Sequence, residues 1–77
     1  MQVRYTNTAL KELKKLPAKD RDALMAKLDI YAETGAGDVK KLQGRDGYRL
    51  RHRTWRAIFI IQGDVVVVHI AHRSKIY

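Results

Sequence analysis

YRLRHRTWRAIFII, residues 48–61, reads as two extended segments in succession, and its first half places an arginine at every second position. Arg49, Arg51 and Arg53 alternate with Tyr48, Leu50 and His52, and Arg56 follows Trp55. Alternate residues of a strand share a face, so this spacing predicts the first three arginines side by side. No acidic residue is interleaved to relieve their repulsion. Leu50 and His52 then point inward, which makes His52 a hydrogen-bonded structural residue rather than a ligand. Arg56 stands in an otherwise apolar strand, where a charge is costly unless it faces a cleft.

Working outward, QGD (62–64) separates the second segment from VVVVHI (65–70), so residues 55–70 read as a hairpin. FII and VVVV are apolar on both faces, as strands covered by helices on one side and by a partner or cleft on the other would be. Upstream, GAGD and QGRDG are turn signals. Before them the period is helical. Thr6, Asn7 or Thr8 caps a helix that runs to Lys15, with Leu10 and Leu13 on one side and Lys11, Lys14 and Lys15 outward. Pro17 opens a second helix with Asp20 and Asp22 near its positive end, a buried stripe of Leu24, Leu28, Tyr31 and Ala32, and Gly35 as its stop. QVRY is a short opening strand. The predicted fold class is α+β in the order β-α-α-β-β-β, a helical hairpin on a small, mainly antiparallel sheet, with residues 1–77 as a single domain.

Composition narrows the function. The formal net charge is +8, and it is unevenly spread. Residues 1–38 carry seven Lys/Arg against six Asp/Glu, while residues 39–77 carry nine against two. A basic half on a folded domain is the footprint of a polyanion partner, nucleic acid first. There are no cysteines, hence no disulfide framework and no thiolate metal site. The N-terminal segment lacks the apolar run of a signal peptide, and VVVVHIA is far too short to span a bilayer. A cytoplasmic, non-membrane protein is the expectation.

Taken together, the leucines of the helical hairpin, KKLQGRDGYRLR, WRAIFII and the terminal AHRSKIY resemble the RelE/ParE superfamily of bacterial toxins, specifically its RelE-like ribonuclease branch. The resemblance extends over essentially the whole chain. It implies a toxin of a type II toxin–antitoxin pair that cuts mRNA on the ribosome. The 2′-hydroxyl of one nucleotide attacks the adjacent phosphate, the 5′-oxygen leaves, and a 2′,3′-cyclic phosphate remains. Fixed cations stabilise the charge that gathers on the phosphorane, and arginine's fork matches phosphate oxygens while staying charged. The implied reaction is metal-independent and needs no cofactor.

Position by position, the resemblance makes Arg56 the transition-state arginine and Arg49 and Arg51 contacts to the RNA backbone. Tyr77 becomes a base-stacking or proton-transferring terminal tyrosine, and Arg73 a basic residue of the closing segment. Arg53 has no counterpart and extends the phosphate track. Some relatives carry a lysine as general base where this chain has arginine, and arginine cannot accept a proton. His72 is the candidate base, with Tyr77 second. His69, among valines, reads as core, and HIAH is a weak metal signal. The partners implied are a cognate antitoxin, the ribosome and mRNA. Two rival functions stay open: a ParE-like inhibitor of DNA gyrase, and a non-catalytic basic RNA-binding module whose affinity falls with salt.

Overall fold

The computed structural model describes residues 1–75 and has a helical hairpin packed on one side of a five-stranded sheet. β1 (Val3–Tyr5) leads into α1 (Asn7–Lys14), then α2 (Ala18–Thr34), β2 (Val39–Lys41), β3 (Tyr48–His52), β4 (Trp55–Gln62) and β5 (Asp64–His72). The order across the sheet is β1-β5-β4-β3-β2. β1 lies parallel to β5 and every other pairing is antiparallel. The predicted fold class is therefore right, with one strand added. β2 escaped the sequence pattern because three residues are too few to show alternation.

The helix boundaries follow local chemistry. Among the three candidate caps it is Thr6 that caps α1, its hydroxyl accepting from the Ala9 amide at 3.1 Å. Gly35 ends α2 at φ 77, where its amide donates to the Tyr31 carbonyl. Leu13, Leu16, Leu24 and Leu28 meet Leu50, Ala57, Phe59, Val65, Val67 and Ile70 in one continuous core. Phe59 sits at its centre, with the Tyr31 ring at 5.2 Å and the Tyr48 ring stacked at 5.4 Å. Leu10 is predicted to share the buried side of α1 with Leu13 but stays exposed.

One irregularity sets which residues leave the core. β4 and β5 pair Ile58 with His69 but Phe59 with Val67, so Val68 is an extra, unpaired residue. A bulge of this kind reverses the side of every residue beyond it. Val65 and Val67 face the helices before it, and Ile70 and His72 face them after it.

Candidate functional site

The sheet surface opposite the helices gathers the cations. Pairing in register places Lys40, Arg49, Ile58 and His69 in one row across it, and Arg51, Arg56 and Ala71 in the next. Arg49, Arg51 and Arg56 thus come together on one face, although they belong to two strands. Arg51 and Arg56 are directly opposed, an arrangement that like charges resist. Two features hold it. Arg51 Nε lies 2.6 Å from Asp38 Oδ2, and its amide donates to the Asp38 carbonyl. Arg56 is 8% exposed, and its Nη1 donates to the carbonyls of Arg53 and Trp55 at 2.9 Å each. The relief that the local sequence lacked is supplied by Asp38, thirteen residues upstream of Arg51.

Two of these expected positions change. Arg53 does not extend the row, because it leaves the strand and takes the first of two turn positions at φ 57. Only its place at the end of the cationic face is kept. His72 does not join Arg56: register aligns it with Trp55 and His52 on the helix-facing side. There its ring stands edge-on to Trp55, and its Nδ1 is 2.9 Å from the Ser74 hydroxyl. The Val68 bulge is the cause, since strict alternation from Val65 would have put His72 on the opposite face. Tyr77 lies outside the described residues. Arg73 is brought close by its backbone, whose amide donates to the Thr54 carbonyl at 2.7 Å beside the β3–β4 turn.

His52 takes the structural place expected of it. It is buried, with Nε2 at 3.2 Å from Asp20 Oδ1, and Trp55 Nε1 donates to the other oxygen of the same carboxylate at 3.3 Å. One side chain of α2 thereby pins both strands that carry the arginines.

The same bulge turns His69 outward, against the core expectation. It lies on the floor of a cleft of about 350 Å³ lined also by Glu12, Arg45, Ile58, Ala71 and Lys75. Its Nδ1 is 3.4 Å from Glu12 Oε1, and that oxygen also accepts the Ile70 amide at 3.0 Å. None of Lys40, Arg45, Lys75 and Glu12 stood out in the sequence. Lys40 needed β2 to be seen as a strand, and the others reach the face from a loop, the tail and a helix. His69 and His72 fall on opposite sides of the sheet, and no three His, Asp or Glu side chains among the described residues cluster around one point.

A convergent set of cations on an open face, with a carboxylate–imidazole pair at its edge, suits binding a phosphodiester backbone and stabilising charge that builds on it. The family model described as the ParE toxin of the type II toxin–antitoxin system parDE matches residues 3–77. No curated protein matches the chain in sequence. Among solved structures, the RelB–RelE antitoxin–toxin complex from Methanococcus jannaschii aligns with TM-score 0.81 at 24% identity, covering 96% of this chain and 94% of that one. The intact RelBE complex of E. coli aligns with TM-score 0.74 at 27% identity, covering 91% and 93%. A RelBE toxin–antitoxin complex from Mycobacterium tuberculosis gives 0.75 at 26% identity, covering 96% and 92%.

Proposed function

Because the chain belongs to the ParE toxin family of type II toxin–antitoxin systems, within the RelE/ParE superfamily, we propose that it acts as a toxin by cutting mRNA on the ribosome. The observation that carries this reading is the register that assembles Arg49, Arg51 and Arg56 with Lys40 on the sheet face the helices leave open. Arg49 and Arg51 hold the phosphates on either side of the scissile bond. Arg56, largely buried and fixed by two backbone carbonyls, supplies a positive charge for the phosphorane that does not have to be ordered first. Arg73 and Arg53 add charge at the turn end of the face, and the family resemblance gives Tyr77 the role of stacking on a base or helping with proton transfer. The ribosome aligns the message, which lowers the demand on the protein's own machinery.

The partner follows from the same features. A cognate antitoxin covers the arginine face with acidic side chains; the solved relatives include toxin–antitoxin complexes, which supports this partner. Among the described residues no helix is long and apolar enough to cross a membrane, and we place the protein in the cytoplasm with its ribosomal target. Inhibition of DNA gyrase is the second reading, favoured by the family model's description as a ParE toxin.

The test uses ribosomes stalled on a short message with a defined codon in the A site, with wild-type protein beside Arg56→Ala and Arg56→Lys. Cuts within the A-site codon, bearing 2′,3′-cyclic phosphate ends, are expected from the wild type. The alanine variant should be slower by about 10²–10³-fold, with lysine in between. An intact message together with inhibited gyrase supercoiling would transfer the assignment to the second reading.

A further inference from the structure

The arginines supply charge but no base, and His72 is turned away from them. We propose that His69, positioned by Glu12, is the general base that takes the proton from the attacking 2′-hydroxyl, an assignment that rests on the ribonuclease reading above.

Four observations meet here. The Val68 bulge places His69 on the arginine face, where its side chain is 57% exposed and lines the 350 Å³ cleft. Ala71, two residues on, pairs with Arg56, so His69 and Arg56 are diagonal neighbours on adjacent strands, their backbone positions about 7–8 Å apart. Side chains on neighbouring positions of one face can meet a single phosphodiester, His69 as acceptor of the 2′-proton and Arg56 as the positive charge on its non-bridging oxygens. Glu12 Oε1 lies 3.4 Å from Nδ1 and is itself held by the Ile70 amide. A carboxylate there favours the tautomer with its proton on Nδ1 and leaves Nε2 with a lone pair for the substrate. The charged groups around the imidazole are Glu12 from α1, Arg45 from the β2–β3 loop, Lys75 from the tail and Arg56 on β4.

The step balances. The 2′-oxygen to phosphorus bond forms as Nε2 takes the 2′-proton, and the bond from phosphorus to the 5′-oxygen breaks with its electron pair passing to that oxygen. The imidazolium or water then protonates the leaving 5′-oxygen. Glu12 touches no reacting atom and is a positioning residue.

Single-turnover cleavage of a ribosome-bound message is measured between pH 5.5 and 8.5 for wild type, His69→Ala and Glu12→Gln, with melting temperatures for each. His69 is exposed, so its truncation leaves the core intact, and glutamine at 12 retains an oxygen for the Ile70 amide. The wild-type rate should rise with pH and level off as one group loses its proton. His69→Ala should lose that limb, fall about 10²–10⁴-fold at the plateau, and recover in part with added imidazole. Glu12→Gln should lower the plateau while KM and melting temperature hold. If His69→Ala cuts at the wild-type rate with the same limb, or slows without losing it and ignores imidazole, the base is elsewhere and the ribonuclease reading stands. A wild type that leaves the message intact overturns the ribonuclease reading and this base with it.

Discussion

Asp20 carries more than its place near the start of α2 suggests. The helix's positive end accounts for an acidic residue there, but the carboxylate also accepts from Trp55 Nε1 and meets His52 Nε2, both on strands more than thirty residues away. Removing it leaves two partly buried nitrogens without their acceptor. Asp20→Ala should therefore cost about 1–3 kcal/mol in urea unfolding, read by the fluorescence of the single tryptophan, and Asp20→Asn should cost less. An unchanged midpoint would mean that water serves both nitrogens equally well. Arg51 teaches the same lesson from the other side of the sheet. Its local sequence shows only like charges, and Asp38 becomes its neighbour through the pairing of β2 with β3.

Among the elements, the β3–β4 hairpin is the one on which the site depends. Its two-residue turn forces Arg53 to φ 57, a conformation that costs an L-residue roughly 1–2 kcal/mol. Arg53→Gly should stabilise the fold by about 0.5 kcal/mol once glycine's extra entropy in the unfolded chain is offset, read as a higher urea midpoint. The same variant should reduce the salt dependence of RNA binding by about one unit of slope, because one phosphate contact goes. Greater stability with an unchanged slope would leave Arg53 as a turn residue alone. The alternation of residues 48–52 was readable because each outward arginine is flanked by an inward apolar or aromatic side chain. The bulge on β5 was not: a run of four valines contains no alternation against which an extra residue could be noticed.

For the molecule as a whole, stability is linked to pH through Tyr5. Burial, and then the nearby Asp29 carboxylate, push its phenol from the usual 10 up to about 12. Between those values the folded protein keeps a proton that the unfolded chain releases. Stability from this group is complete below about pH 10 and is lost as pH rises through about 12. Melting temperatures measured from pH 9 upward should fall, and Tyr5→Phe should flatten that fall. An identical decline in the variant would assign the alkaline instability to other groups.

Composition and periodicity were enough to establish the α+β class, the two helices with the buried stripe of α2 but not the burial of Leu10 on α1, four of the five strands and the basic half of the chain. Each of these is written in residues a few positions apart, where helical and strand periods act. Tertiary structure decided which charges meet. The Val68 bulge chose His69 over His72 for the arginine face, the turn withdrew Arg53 from the row, and strand pairing gave Arg51 its carboxylate. The physical reason is that a strand's alternation fixes which residues share a side, whereas register, bulges and cross-strand partners are settled by packing between segments distant in the chain.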